Sequence, residues 1–179
     1  MAVRNLVLLT LLAVGVGSAC RAESESPFAQ PEEQPVTATL IAEHASIRPG
    51  GATRIGVLFD IEEGWHIYAQ DPGDAGLPTQ VTWSGHDRIA FGSLQWPEPY
   101  EFLDPGDIRT FGYAGTVVLS SALAGSKPLA AEARIHADVE WLACKDVCIP
   151  GSAALEFEIP VRAESPARSA HAELFGPAR

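Results

Sequence analysis

Apolar and polar residues alternate along three stretches of the chain. In AEARIHADVEW, every second residue from Ala133 to Trp141 is apolar, and the residues between them are polar or charged. The stretches TRIGVLFDI, from Thr53, and ALEFEIPV, from Ala154, follow the same period. Because successive side chains of a strand point to opposite faces of a sheet, a period of two predicts antiparallel strands that are buried on one face.

Weaker segments between turns rich in Gly, Pro and Asp predict further strands. They are TATLIAE, WHIYA, QVTW, IAFGSLQW and TVVLSSAL. After the N-terminal stretch, no segment keeps an apolar period of 3.6 residues over three turns, which argues against a thioredoxin-like core of alternating strands and helices. Short strands at this spacing predict an all-β antiparallel sandwich.

The N-terminal stretch MAVRNLVLLTLLAVGVGSAC has the layout of a secretory leader. One positive charge at Arg4 precedes an apolar run from Leu6 to Val16 and then small residues. The run is shorter than the ~20 residues of a membrane-spanning helix, so we expect an exported chain. GSAC resembles a bacterial lipobox, in which Cys20 would carry a lipid anchor. The alternative is that cleavage after Ala22 removes Cys20 with the leader.

These features predict four parts of the chain. They are a leader over 1–22, an acidic and proline-rich linker over 23–35, a single domain over 36–162 and a flexible tail over 163–179. The domain is long enough to bury one core. The net charge is −11 with only two lysines, which argues against nucleic acid as a partner because phosphate binding needs a basic surface.

Removal of the leader leaves one cysteine pair, Cys144 and Cys148, in EWLACKDVCIPG. The pair follows the long predicted strand, and the IPG segment is expected to break the chain after it. A structural disulfide would contribute little at this position. Closing a loop of about five residues stabilises a fold by roughly 2 kcal/mol, whereas a disulfide that closes a loop of ~100 residues contributes nearly 5 kcal/mol. An exposed pair at a loop instead suits attack on a partner disulfide and its resolution.

Metal binding is the alternative for the same cysteines, since their spacing is that of copper chaperones with a CxxxC site. Two thiolates need a further soft or nitrogen ligand. His136 falls on the polar face of the predicted strand, about 25 Å along it from Cys144. His44 and His66 would have to approach the cysteines through the fold. The sequence alone leaves the staple, the metal site and the working dithiol open.

Two blocks together, EGWHIYAQDPGDAGLPTQVTW and WLACKDVCIPG, resemble the N-terminal periplasmic domain of the thiol:disulfide interchange protein DsbD and its ScsB-like relatives. The resemblance covers residues 36–162. It implies an immunoglobulin-like β-sandwich, located in the periplasm, that uses no cofactor. It also implies that Cys144 and Cys148 pass electrons from a membrane-embedded carrier of DsbD type to periplasmic thioredoxin-like proteins. Cytochrome c biogenesis and metal-stress repair are the processes in which such relatives act.

The resemblance also implies residues that line the site. His66 and Tyr68 match a strand that faces the cysteines, and they share one face by the period of two. WPEPYEFLDPG matches a cap loop, in which Tyr100 or Phe102 would shield the disulfide. Ordinary packing is the alternative for each of these aromatic residues. The three-residue gap between the cysteines fits the ScsB-like branch, since enteric DsbD domains have a longer gap.

The resulting hypothesis is periplasmic thiol-disulfide exchange through a CxxxC dithiol. The first alternative is a copper-handling protein that binds Cu(I) through Cys144 and Cys148 together with His66. The second is an interaction domain with a permanent structural disulfide. No resident metal is expected in the first hypothesis, and contact with a membrane would come only through a lipid anchor at Cys20.

Overall fold

The computed structural model describes residues 34–104, 106–127 and 130–176. Across them the chain forms ten strands and a 3₁₀ turn. The strands are β1 Val36–Ala42, β2 Ala52–Ile61, β3 His66–Gly73, β4 Gln80–Gly85, β5 Ile89–Phe91, β6 Tyr100–Asp104, β7 Ile108–Tyr113, β8 Thr116–Gly125, β9 Glu132–Cys144 and β10 Cys148–Pro160. The predicted leader, Cys20 and nearly all of the linker lie outside the described residues. Where the chain is described, no helix has the length and apolar character to cross a bilayer.

The strands form two antiparallel sheets. The first sheet has the order β1-β2-β8-β5, and the second has the order β10-β9-β3-β7-β6. Only His66 and Ile67 of β3 pair with β9, and β4 pairs with β9 further along that strand. The inner faces meet in one core, where the rings of Phe59 from the first sheet and Trp141 from the second lie 5.8 Å apart, edge to face. The prediction of an all-β, immunoglobulin-like antiparallel sandwich is confirmed.

The period of two located the long strands correctly, since the core-facing positions of β2 and β9 are the apolar ones. IAFGSLQW was wrong as a single strand, because only Ile89–Phe91 forms one. Beyond it the chain follows β8 through separate contacts, in which Gly92 N–H donates to Ala122 and Gln95 forms an isolated bridge to Ser120. The strands β6 and β7 were not predicted. They form a hairpin whose turn holds Asp107 at φ 61°.

The prediction that IPG breaks the chain was wrong. Pro150 and Gly151 lie inside β10, which pairs with β9 from Cys148 to Pro160. Pro150 is tolerated because β10 is at the end of the strand order, and an edge strand has a side on which no N–H is needed. Gly151 is opposite Trp141, and a Cβ on it would lie 2.3 Å from the indole ring. The glycine therefore gives the indole the room it needs.

The described part of the expected flexible tail packs on the first sheet. Ser169 N–H donates to the carbonyl of Glu43. The ring of Phe175, in the 3₁₀ turn, is buried with Ile41 and Val118 on the outer face of that sheet. The Arg54 guanidinium donates to the carbonyls of Phe175 and Gly176 at 2.8 and 2.9 Å. Apolar burial and these hydrogen bonds together explain why this segment does not behave as the polar tail that its composition predicts.

Candidate functional site

The cysteine pair closes the hairpin between the two longest strands. Cys144 is the last residue of β9 and Cys148 is the first of β10, and the two are directly opposite each other in the ladder. Their sulfur atoms are bonded, and their Cα atoms are 4.1 Å apart. The turn between them is tightened by a hydrogen bond of 3.1 Å from Lys145 N–H to the Val147 carbonyl. The disulfide therefore sits at a strand end, where a partner can reach it.

The disulfide lies on the outer face of the second sheet, away from the core. Ile67 and Ala143 are cross-strand partners whose side chains belong to the core. Because side chains alternate along a strand, the neighbouring pair His66 and Cys144 points to the opposite face. Cys144 is opposite His66 on one side and Cys148 on the other. These three side chains form a row across β3, β9 and β10, which we call the disulfide row.

Burial along the disulfide row is asymmetric. Cys144 is 3% exposed and His66 is 6% exposed, although both lie on an outer face. Cys148 is exposed. An incoming thiolate therefore meets the Cys148 sulfur first, and the Cys144 sulfur is the one shielded from water.

Aromatic rings cover the buried part of the row. The ring of Phe102 stacks on the imidazole of His66 with centroids 4.4 Å apart and an angle of 16° between the planes. The ring of Tyr68 meets the same imidazole edge to face at 5.2 Å. Phe102 comes from β6, the edge strand at the other end of the sheet. The predicted site-lining residues His66, Tyr68 and Phe102 thus come together.

Tyr68 is itself covered by the loop that follows β3. Gly76 crosses the ring with φ +98°, and a Cβ there would lie 2.4 Å from a ring carbon. The loop is held at both ends. The Thr79 hydroxyl donates to the Tyr68 carbonyl at 2.9 Å, and the Asp74 carboxylate accepts from Arg109 N–H at 3.0 Å. The DPGDAGLPT segment therefore borders the site through its contact with Tyr68.

The surroundings of the row combine one cation with exposed apolar side chains. A Cβ on Gly64 would lie 3.0 Å from the Lys145 ammonium nitrogen, so this ammonium rests against the turn that precedes His66. Val147, between the two cysteines, is 63% exposed. Leu77, in the loop over Tyr68, is similarly exposed. Exposed apolar side chains beside a reactive group are typical of surfaces that bind another protein.

Tyr100 lies apart from this group. It is 65% exposed and lines a groove of about 580 Å³ together with Trp96 and Tyr113. The Tyr113 hydroxyl donates to the Pro97 carbonyl at 2.8 Å, and burial, with the nearby charge of Glu98, raises the pKa of Tyr113 to about 12. Of the two residues predicted as the shield, Phe102 is therefore the one placed over the disulfide row.

Within the described ranges, no three His, Cys, Asp or Glu side chains are grouped as metal ligands. His136 lies 3.4 Å from the Glu156 carboxylate, toward the far end of β9 from the cysteines. His44 is hydrogen-bonded to Thr53 at 3.0 Å in the first sheet. Neither histidine approaches the disulfide row.

Two contributors to the site were missed by sequence reasoning, namely the β6–β7 hairpin that carries Phe102 and the placement of Gly76 over Tyr68. The DPGD turn flanked by YEFL and IRTFGY is a hairpin signal that would have located the first. The glycine in a loop is a signal of close approach, but it does not name the ring that is approached.

Known proteins resemble this chain in sequence and in structure. The family model for the thiol:disulfide interchange protein DsbD, N-terminal, matches residues 33–160. The N-terminal periplasmic domain of ScsB from Proteus mirabilis superposes with a TM-score of 0.56 at 22% identity, over 80% of this chain and 52% of that chain. This likeness shows a shared fold, and the present chain spans about half of that ScsB chain.

Two Neisseria meningitidis structures also resemble the chain, more weakly. The reduced DsbD N-terminal domain matches with a TM-score of 0.42 at 15% identity, over 78% of this chain and 94% of that one. The complex of the DsbD and PilB N-terminal domains matches with a TM-score of 0.40 at 16% identity, over 73% of this chain and 87% of that one. No curated protein sequence matches the chain.

Proposed function

Because the chain belongs to the family of N-terminal domains of the thiol:disulfide interchange protein DsbD, we propose that it exchanges disulfides with other proteins through Cys144 and Cys148. The observation that supports this most directly is the asymmetric burial of the disulfide. One sulfur is held inside a local aromatic cover and the other is open at a strand end. A permanent staple needs no open sulfur, and a short loop of this kind stabilises a fold by only about 2 kcal/mol.

The exchange begins with attack at Cys148. A thiolate of the donor protein attacks the Cys148 sulfur, and the bond to Cys144 breaks with its electron pair on the Cys144 sulfur. A second donor thiolate then releases Cys148, so the donor is oxidised and the pair is reduced. In delivery, the Cys148 thiolate attacks the disulfide of a client, and Cys144 resolves the mixed disulfide. The order of events follows from which sulfur an outside atom reaches.

The partners follow from the family. The donor is a membrane-embedded electron carrier of DsbD type, and the clients are periplasmic thioredoxin-like proteins. The compartment is the periplasm, which the leader over 1–22 supports. An anchor at Cys20 would keep the domain beside its donor. Exposed Val147 between the cysteines and exposed Leu77 in the loop over Tyr68 supply the apolar contact that a docking partner needs.

Trapping in cells tests the proposal. Cys144→Ser leaves the accessible cysteine without its resolving partner, so mixed disulfides should accumulate and appear on non-reducing gels with thioredoxin-like proteins attached. Cys148→Ser should give about tenfold less, because its remaining thiol is buried. Equal trapping by both variants, or none by either, contradicts the proposal.

The redox potential separates the proposal from a permanent structural disulfide. Exchange with a membrane donor requires a disulfide that equilibrates with thiol buffers, whereas a structural disulfide has a potential below about −300 mV. The measurement is the reduced fraction in dithiothreitol and glutathione buffers, read by alkylation of the folded protein. The three residues of the Cu(I) alternative, Cys144, Cys148 and His66, share the disulfide row, but within the described ranges no group of three His, Cys, Asp or Glu side chains is placed to hold a metal ion.

A further inference from the structure

Opening of the disulfide at Cys148 leaves the bonding electron pair on a buried atom. Cys144 is 3% exposed, and a thiolate confined there has little water to stabilise its charge. Burial disfavours the charged form of such a group by raising its pKa, and a sulfur of higher pKa is a poorer leaving group. The exchange is therefore helped by any group that delivers a proton or a positive charge to the Cys144 sulfur.

Several titratable groups face this sulfur. From β3 come His66, directly opposite Cys144, and Tyr68 behind it. From the β9–β10 turn comes Lys145, whose ammonium rests on Gly64. The turn before β3 carries two exposed carboxylates, those of Glu62 and Glu63.

The strand β6 also contributes to the surroundings of the imidazole. From β6 comes the uncharged ring of Phe102, while Glu101 of the same strand pairs with Arg109 at 3.5 Å. Only an imidazole gains and loses a proton near neutral pH without a large shift, since phenols and ammonium groups titrate near pH 10. It is also the group directly opposite the buried sulfur.

We propose that His66 is the proton source for the Cys144 sulfur, an inference that rests on the exchange proposed above. In the forward step the attacking thiolate forms a bond to the Cys148 sulfur and the Cys144–Cys148 bond breaks. The electron pair goes to the Cys144 sulfur, which takes the N–H proton of the imidazolium and becomes a thiol. The imidazole is left neutral. In the reverse step the neutral imidazole takes that proton back, and the Cys144 thiolate attacks the mixed disulfide at Cys148.

The packing holds the imidazole in place for this transfer. Phe102 covers one face of the ring at 4.4 Å, and Tyr68 meets it at 5.2 Å, so the ring has little freedom to turn. Cβ atoms of directly opposite residues are about 5 Å apart, so the imidazole and the Cys144 sulfur are neighbours on one face of the sheet. His66 thus acts through a fixed position as well as through its proton.

The pH profile of disulfide reduction tests the assignment. The rate of reduction of the full chain by dithiothreitol is divided by the concentration of attacking thiolate. In the unmodified protein this normalised rate should rise as pH falls from about 8 to about 5, the range in which imidazoles gain their proton. In His66→Gln the rise should be lost. At about pH 6 the normalised rate of His66→Gln should be about tenfold lower than that of the unmodified protein. Typical general acids contribute roughly 10²–10⁴-fold, and the smaller effect is expected here because a thiolate is already a good leaving group.

The matched control is His136→Gln, a histidine on the same outer face that is paired with Glu156. It should keep the unmodified profile. Thermal unfolding of each oxidised variant confirms that the fold is intact. A His66→Gln profile that still rises between about pH 8 and pH 5 overturns the assignment.

A second measurement needs no exchange partner. In a Cys148→Ser background, the rate of iodoacetamide alkylation of Cys144 at about pH 6 should fall when His66→Gln is added, because a protonated imidazole favours the neighbouring thiolate. An unchanged rate at that pH overturns the role of His66 and leaves the exchange proposal standing. Failure of Cys144→Ser to trap mixed disulfides in cells, with the change in alkylation rate present, overturns the exchange proposal instead.

Discussion

The outer face of each sheet carries an aromatic ring that arrives from elsewhere in the chain, and the two rings are fixed differently. On the first sheet, Phe175 is buried with Ile41 and Val118. On the second, Phe102 stacks on His66 beside the disulfide. Both rings cover a sheet face that would otherwise meet water. They differ in what holds the backbone that carries them.

The backbone of Phe175 is held by charged hydrogen bonds. Arg54 donates to the Phe175 and Gly176 carbonyls, and it also binds both oxygens of the Glu43 carboxylate at 2.9 Å. The backbone of Phe102 is held by the ladder between β6 and β7, the contacts described for its ring are with the imidazole that it covers, and its strand is at the edge of its sheet. We therefore expect the ring of Phe175 to matter mainly for stability and the ring of Phe102 to matter mainly for access to the disulfide row.

If the two rings differ in this way, the largest loss of stability should come from removing the ring on the first sheet. Phe175→Ala removes a ring that is 7% exposed, and loss of a buried phenylalanine costs about 3 kcal/mol. The free energy of unfolding from urea titration should fall by that amount, with no change in the rate at which dithiothreitol reduces the disulfide. A loss below about 1 kcal/mol would mean that the C-terminal segment is not part of the cooperative fold.

Removal of the Arg54 guanidinium, which holds the Phe175 backbone, should have the next largest effect on the free energy of unfolding. Arg54→Met leaves the Glu43 carboxylate partly buried and two carbonyls without their donor, and the free energy of unfolding should fall by about 2 kcal/mol. The matched control is Arg134→Met. Arg134 also donates two hydrogen bonds to a carboxylate, that of Glu158, but it lies on the open surface of β9. Exposed pairs contribute little, so equal costs for the two variants would contradict the contrast.

How deeply each segment is buried explains how much of the fold could be predicted from the sequence. The strands β2 and β9 alternate cleanly because each buries one face in the core, and burial is what the period reports. The strands β6 and β7 were missed because Glu101 and Arg109 pair in solvent on one face of their hairpin. The C-terminal segment was missed for a related reason, since a polar composition conceals the single buried ring of Phe175.

The sequence placed His66, Tyr68 and Phe102 near the cysteine pair, but it did not predict that one cysteine is buried and the other exposed. The proximity was expected from the resemblance. The aromatic cover of the row depends on Phe102, which stacks on His66 because β6 and β7 extend the same sheet. Such a contact between distant strands leaves no periodic signal. The proton-transfer role of His66 needed the strand register, which the sequence does not state.

On the second sheet, removal of the cover should change reactivity more than stability. Phe102→Ala takes away a half-buried ring, so the free energy of unfolding should fall by only about 1 kcal/mol. In a Cys148→Ser background, alkylation of Cys144 by iodoacetamide should become about five- to tenfold faster, because the sulfur loses its shield. Tyr100→Ala is the control, since Tyr100 lies in the neighbouring groove, and it should leave the alkylation rate unchanged.

The smallest expected effect is a pH dependence of the free energy of unfolding, which arises from the Arg54–Glu43 pair on the first sheet. Hydrogen bonds from Arg54 lower the pKa of Glu43, against the opposing effect of burial. A carboxyl whose pKa is lower in the folded state stabilises the fold above its unfolded value of about 4.5, and this contribution is lost as pH falls through the folded value. The free-energy cost of Arg54→Met should therefore shrink between about pH 6 and pH 3. Because Phe102 contacts no carboxylate among the described rings and ion pairs, the cost of Phe102→Ala should not shrink in step with it. A parallel loss in both variants would show that the two covers are coupled.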